Sequence, residues 1–205
     1  MRVIRLLIPI LLAVVVVVQV AVGLNWFGLG TPDPRLATQP LGEAQIEIGG
    51  PFTLTTAEDR TVTDRTFLGK WVLVYFGYTN CPDTCPTALN DIGNALDMLG
   101  TKSGDVAPLF ITIDPEHDTP AVMAAYTAKF DKRIIGLTGT TRQIEQVKQT
   151  FHVYASPAPH DEHGRMVMDH SSVIVIMNPQ GKFVDALNGN ANPEAIAAKL
   201  RALVH

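Results

Sequence analysis

Cysteine is scarce in this chain of 205 residues, and both cysteines lie within one five-residue segment. A secreted domain held together by disulfides would distribute several cysteine pairs along its sequence, so a disulfide scaffold is excluded. A folded region of about 160 residues buries enough apolar surface without covalent cross-links. The two cysteines are therefore predicted to serve chemistry rather than structural support.

The chain also lacks any run of basic residues. Lys and Arg number 16 and Asp and Glu number 20, which gives a net charge of −4. Without a basic surface, nucleic acid is not expected as a partner. No internal repeat is present, and the length suits one folded domain with a short attachment.

The longest apolar run lies at the amino terminus. Residues 6–24 contain no charged side chain, and Arg2 and Arg5 precede them. As a helix this run would span about 28 Å, close to the thickness of a bilayer core. The arginines favour an amino terminus on the inner side, which places the remaining chain across the membrane. Residues 1–27 are therefore predicted to be an uncut transmembrane anchor. The alternative is a signal peptide, cleaved near Gly23.

Residues 28–43 are rich in proline and glycine and are predicted to be a flexible linker. Residues 44–205 then form the folded domain. The pattern predicts a β-hairpin at residues 52–63, then strand, helix, strand, helix, short strand, helix, a second hairpin and a closing helix. Residues 155–168 are predicted to be a polar loop. This order indicates an α/β, thioredoxin-like fold with an added amino-terminal β-hairpin.

The sharpest motif is Cys81-Pro82-Asp83-Thr84-Cys85-Pro86, a C-x-x-x-C spacing. Residues four apart share one face of a helix, and a helix amino terminus favours thiolate over thiol. Both sulfurs are therefore expected to be primed as ligands. Soft thiolates select Cu(I), zinc or iron–sulfur centres, and two sulfurs rarely complete a site. The alternative is a structural disulfide or two inert thiols, and a disulfide across so short a loop would stabilise little.

His170, in Asp169-His170-Ser171, offers a third ligand directly before a predicted buried strand. A single histidine is more often a surface group than a ligand. The predicted fold nevertheless brings loops at strand ends close to the cysteine turn.

Further metal-binding residue types lie in the polar loop. His160, Asp161, Glu162 and His163 are interpreted as a solvated cluster, with low-affinity metal capture as the alternative. Met166 and Met168 offer thioethers to copper or else pack beneath the loop.

A second polar turn, Asp114-Pro115-Glu116-His117-Asp118-Thr119-Pro120, follows the second buried strand. Asp118 is interpreted as a helix cap ahead of a proline in the first turn, with a carboxylate near the thiols as the alternative. For Asp114 two interpretations remain open: it is a turn residue, or it is a carboxylate near the thiols that tunes their ionisation.

Taken together, these motifs resemble the Sco/SenC family of copper proteins. The resemblance covers residues 46–190 and rests on residues 69–71, 75–86, 113–115, 118–120, 136–139 and 169–171. Two positions depart from the family pattern. His117 stands where members usually carry arginine, and Met166 stands where they often carry an aromatic residue.

The resemblance implies a thioredoxin-like head with one anchoring helix, and copper, as Cu(I) and Cu(II), bound by Cys81, Cys85 and His170. It implies a metallochaperone that helps assemble the dinuclear copper centre of cytochrome c oxidase subunit II. The expected location is a bacterial inner membrane with the head in the periplasm, or the equivalent side of a mitochondrial inner membrane. Periplasmic copper carriers or thiol reductants are further expected partners.

Two enzymatic alternatives use the same fold. A thiol–disulfide oxidoreductase would reduce the cysteines of subunit II with Cys81 and Cys85 and would not need His170. A thiol peroxidase would need a lone attacking cysteine in a different turn, which this sequence does not show. The C-x-x-x-C spacing and the available histidine favour the chaperone.

Overall fold

The computed structural model describes residues 47–158 and 167–204. The predicted anchor and linker, together with the loop residues His160, Asp161, Glu162, His163 and Met166, lie outside these ranges. Among helices within the described ranges, none has both the length and the apolar character needed to cross a membrane.

The described ranges contain nine strands and four α-helices. The strands are β1 (Thr53–Thr56), β2 (Thr61–Thr63), β3 (Trp71–Gly77), β4 (Val106–Thr112), β5 (Ile135–Thr138), β6 (Ala155–Ala158), β7 (Val167–His170), β8 (Val173–Met177) and β9 (Phe183–Asn188). The helices are α1 (Thr84–Leu99), α2 (Pro120–Thr127), α3 (Thr141–Thr150) and α4 (Pro193–Leu203).

Seven strands form one sheet in the order β2-β1-β5-β4-β3-β8-β9. Its centre is parallel, because β4 pairs in parallel with both β3 and β5. The antiparallel hairpins β1–β2 and β8–β9 extend the sheet on either side. This topology confirms the predicted thioredoxin-like α/β fold and its amino-terminal hairpin.

The core lies around β3 and β4. Both strands are apolar along their length, and β4 is buried at every residue, as expected for a strand covered on both faces. The α1 helix buries one face that includes Leu89, Ile92, Leu96 and Leu99. It packs against α4. The loop after β3 and the first turn of α1 carry the two cysteines.

The prediction of an unbroken polar loop over residues 155–168 is wrong. Strands β6 and β7 form an antiparallel ribbon in which Ala155 faces His170 and Pro157 faces Met168. Proline lacks a backbone donor, which is tolerated in a strand that pairs on one side. The proline content of this segment is typical of a loop, and it hid the strands from sequence reasoning.

The interpretation of Asp118 as a helix cap is also wrong. Thr119 occupies the capping position of α2, and its hydroxyl accepts the N–H of Val122 at 3.4 Å. The neighbouring Asp118 is fully buried and faces the cysteine-bearing loop instead.

Candidate metal centre

The carboxyl end of β3 is shaped to accept a sulfur atom. A Cβ atom at Gly77 would lie 2.7 Å from Cys85 Sγ and 2.8 Å from Phe110 Cε2. Any larger residue would therefore displace the sulfur or the ring. Glycine at this position leaves the space that the fully buried Cys85 occupies.

Residues 78–83 form the cysteine loop, which joins β3 to α1. Cys81 lies in this loop and is half-buried, whereas Cys85 is the second residue of the helix. The N–H of Cys85 donates to Cys81 Sγ at 3.4 Å, and the N–H of Cys81 donates to the carbonyl of Tyr78 at 3.2 Å. The sulfurs therefore meet because the loop folds back over the helix start, not because both cysteines share a helix face.

Cys81 takes the place of a conventional helix cap. Asp83 stands at the capping position of α1 but makes no side-chain cap hydrogen bond. The first N–H groups of a helix need acceptors, and Cys81 Sγ accepts one of them. Pro86 has no N–H to satisfy. The positive end of the helix dipole consequently acts on Cys81.

The two thiols differ in their ionisation. The hydrogen bond from the Cys85 thiol lowers the pKa of Cys81 well below its ordinary value, and His170 adds to this effect against the opposing effect of burial. The same hydrogen bond, followed by burial, raises the pKa of Cys85. The expectation that both sulfurs are primed as ligands stays a prediction, and the pKa directions favour thiolate at Cys81 over thiolate at Cys85 in the metal-free protein. Two neighbouring thiolates would repel, so one proton stays on Cys85.

His170 ends β7 and is half-buried. Its Nδ1 lies 3.1 Å from the carbonyl oxygen of Ser171 and donates to it, which leaves Nε2 available to a metal. Burial opposes protonation, but interaction with Cys81 and with the Ser171 carbonyl raises the pKa of His170 overall.

The structure brings the three predicted residues together. One ligand atom from each of Cys81, Cys85 and His170 lies within 4.8 Å of the other two. Two sulfurs and one imidazole nitrogen form a soft donor set that suits copper.

The other candidates have different roles. The carboxylate of Asp114 lies 2.9 Å from Nδ1 of His117, and this contact raises the pKa of the exposed imidazole. The structure therefore engages Asp114 in its own turn and shows no contact between this carboxylate and a thiol. Met168 packs against the core, in agreement with the packing interpretation.

Sequence reasoning favoured a helix cap for Asp118 and missed that this buried carboxylate supports the cysteine loop. Asp118 accepts the N–H of Thr79 at 3.1 Å, the hydroxyl of Thr79 at 2.5 Å and the hydroxyl of Thr112 at 2.6 Å. Burial raises the pKa of Asp118, although these hydrogen bonds oppose the shift. In the sequence, the one sign of a buried polar partner was Thr112, a polar residue within an otherwise apolar run.

A protein-family model described as SCO1/SenC matches residues 42–205. The human protein named "SCO1 homolog, mitochondrial" is 41% identical over 155 residues, which cover 75% of this chain and 52% of the relative. The bovine "SCO2 homolog, mitochondrial" is 38% identical over 195 residues, which cover 93% of this chain and 73% of the relative. The chain thus spans about half the length of the human relative.

Solved structures agree with this family match. The structure of Bradyrhizobium japonicum ScoI with copper bound has a TM-score of 0.70 and 42% identity, and covers 76% of this chain and 98% of that chain. Yeast Sco1 with copper bound has a TM-score of 0.70 and 38% identity, and covers 77% and 88% respectively.

Proposed function

Because the chain belongs to the SCO1/SenC family, we propose that it is a copper-binding metallochaperone that helps assemble the dinuclear copper centre of cytochrome c oxidase subunit II. The observation that carries the proposal is the convergence of Cys81, Cys85 and His170 within 4.8 Å. The copper-bound state of two related structures supports copper as the cargo.

The three residues are proposed to hold copper in both oxidation states. Two thiolates suit Cu(I), and the imidazole extends the site to Cu(II), which thiolates alone hold poorly. Binding requires the proton on Cys85 to leave, so uptake releases a proton at neutral pH. Cys81 is half-buried and Cys85 is fully buried. An incoming thiolate of a partner is therefore expected to replace Cys81 before Cys85.

The domain organisation and cellular location that we propose are those expected from the sequence. Residues 1–27 anchor the protein in an inner membrane, residues 28–43 are a linker, and residues 44–205 are the copper-binding head. The head faces the bacterial periplasm or the equivalent side of a mitochondrial inner membrane, and relatives named as mitochondrial support the second placement. Subunit II is the proposed recipient, with copper carriers or thiol reductants of the same compartment as further partners.

One observation favours a second function, a thiol–disulfide oxidoreductase that reduces the cysteines of subunit II. The pair consists of an accessible sulfur with a lowered pKa and a buried thiol that donates to it. The Cys81 thiolate would attack the target disulfide and release one target thiolate. Cys85 would then lose its proton and attack the mixed disulfide, leaving a Cys81–Cys85 disulfide and a reduced target. A thiol reductant of the same compartment would restore the pair.

The test loads the full chain, in detergent, with Cu(I) and with Cu(II). We expect one copper per chain, sulfur ligation by X-ray absorption, and loss of tight Cu(I) binding in Cys81→Ser and in Cys85→Ser, because an alcohol is a poor ligand for a soft ion. His170→Ala should lose stable Cu(II) binding, weaken Cu(I) binding less and keep its dithiol reactivity. Undiminished Cu(I) binding in either serine variant would contradict the ligand assignment.

An oxidase-assembly assay in cells distinguishes copper delivery from thiol–disulfide reduction. If delivery is the main task, His170→Ala should fail to support oxidase assembly, as Cys81→Ser should. Normal assembly with His170→Ala, together with failure of Cys81→Ser, would favour the reductase.

A further inference from the structure

His170 is carried by a part of the molecule that the main sheet does not hold. Among the described strands, β6 and β7 pair only with each other and form their own two-stranded sheet. Isolated two-stranded ribbons are marginally stable, so contacts outside the ribbon must fix its position. The position of the imidazole relative to the sulfurs depends on those contacts.

One such contact joins the ribbon to the cysteine loop. The backbone N–H of Met168, two residues before His170, donates to the hydroxyl oxygen of Tyr78 at 3.1 Å. Across the ribbon, Met168 faces Pro157. Because its N–H donates to Tyr78, the Met168 amide points away from Pro157 and toward the cysteine loop.

Tyr78 also contacts the residues at both ends of the site. Its carbonyl oxygen accepts the N–H of Cys81 at 3.2 Å. Its ring lies edge-on to the imidazole of His170, with 6.1 Å between centroids and an interplanar angle of 86°. The side chain is only 1% exposed, so its hydroxyl makes the hydrogen bond to Met168 away from bulk water.

We propose that Tyr78 is a positioning residue that joins the cysteine loop to the histidine-bearing ribbon, and that its hydroxyl determines how firmly His170 completes the metal site. The inference rests on the proposed copper-binding function. It assigns to Tyr78 an effect on one ligand of three, because Cys81 and Cys85 are held by the loop and by α1 without the hydroxyl.

A selective consequence follows for the two oxidation states. The two thiolates supply most of the affinity for Cu(I), whereas Cu(II) depends more strongly on the nitrogen ligand. Loss of the Tyr78 hydroxyl leaves the partly buried N–H of Met168 without its acceptor and frees the ribbon to shift. Cu(II) binding should therefore weaken while Cu(I) binding is nearly unchanged. A general loss of stability would weaken both ions alike.

The test compares two conservative variants of the full chain in detergent. Tyr78→Phe removes the hydroxyl and retains the ring. Tyr126→Phe is the matched control, because Tyr126 is also buried and its hydroxyl has no hydrogen-bond partner among the described residues. Each variant is titrated with Cu(I) and Cu(II), and the Cu(II) hyperfine coupling is recorded. In the metal-free protein, hydrogen exchange of the Met168 amide is followed.

For Tyr78→Phe we expect about fivefold to tenfold weaker Cu(II) binding, less than about twofold change for Cu(I), and about tenfold faster exchange at Met168. Tyr126→Phe should match the wild type in all three. An unchanged ratio of Cu(II) to Cu(I) affinity in Tyr78→Phe would overturn the inference and leave the proposed function standing. A wild-type protein that binds no copper would overturn the proposed function, and the inference with it.

Discussion

The cysteine-bearing and histidine-bearing segments hold the proposed metal ligands by different means. Cys81 and Cys85 lie between the most buried strand pair, β3 and β4, and the amino terminus of α1. His170 ends a short ribbon outside the main sheet, where most residues are half-buried or exposed. The sulfurs therefore lie against the core, whereas the imidazole lies on a ribbon whose described strands pair only with each other.

This difference predicts that the two sides of the proposed site differ in how easily they move. The sulfur pair is expected to keep its geometry with or without metal, because moving it would disturb the core. The imidazole is expected to move more easily, since its ribbon has its own two-stranded pairing. We call the core-held sulfur pair the firm side of the proposed site and the ribbon-held imidazole its adjustable side. Four predictions test this contrast.

The largest expected effect is a difference in thiol reactivity within the firm side. In the metal-free protein, Cys81 is half-buried and has a lowered pKa, whereas Cys85 is buried with a raised pKa. Cys81 should react with iodoacetamide at least about a hundredfold faster than Cys85. Because the lowered pKa keeps Cys81 ionised well below neutrality, its rate should change little between pH 8 and pH 6. An ordinary thiol slows by about a factor of ten for each pH unit in this range.

Peptide mass spectrometry after brief alkylation identifies the modified sulfur. Protein unfolded in urea is the control, and there both cysteines should react alike, with the ordinary pH dependence. Equal labelling of the two thiols in the folded protein would show that the sulfurs are not held as described.

Substitution at Gly77 tests the packing beneath the sulfurs. Gly77→Ala places a Cβ atom within 2.8 Å of Cys85 Sγ and of Phe110. We expect a loss of about 2 kcal/mol in the free energy of unfolding, measured by urea denaturation. Gly104→Ala is the matched control, because a Cβ atom there meets nothing within 4 Å and should cost less than about 0.5 kcal/mol. Equal stability of the two variants would contradict the close contact at Gly77.

Asp118→Ala removes the buried acceptor behind the cysteine loop. The N–H and hydroxyl of Thr79 and the hydroxyl of Thr112 then lack their partner, and the free energy of unfolding should fall by about 1.5 kcal/mol. Asp118→Asn keeps an acceptor oxygen and should lose less. Without the hydrogen bonds to Thr79, the cysteine loop should become more mobile and expose Cys81. Alkylation of Cys81 should therefore be faster in Asp118→Ala than in Asp118→Asn. Identical alkylation rates would mean that the carboxylate supports the fold and not the loop.

The smallest expected effect belongs to the adjustable side. His170→Ala in the metal-free protein should change the free energy of unfolding by less than about 0.5 kcal/mol, since the half-buried ring lies at the edge of the core. Thermal denaturation without copper measures this directly. The same variant measured with Cu(II) should lack the stabilisation that the metal gives to the wild type. A destabilisation of His170→Ala comparable to that of Gly77→Ala would remove the contrast between the two sides.

The fold was largely predictable because its core elements have strong local patterns. The apolar run at residues 71–76 has the composition of a strand buried on both faces, and the spacing of Leu89, Ile92 and Leu96 has the period of a helix face. Residues 155–158 and 167–170 lacked such a pattern. Two short strands that pair with each other carry little alternation, and proline in one of them is typical of a loop.

The sequence by itself determined which residues are chemically able to bind a soft metal, because two cysteines four residues apart and one histidine before a strand are local facts of the chain. Only the tertiary structure decided how they act. The fold-back of the loop made Cys81 an acceptor for the helix start, and the hydrogen bond to Cys81, followed by burial, raised the pKa of Cys85. Asp118 and Tyr78 acquired their roles in the same way. Burial and long-range hydrogen bonding depend on residues distant in sequence, and no local pattern specifies them.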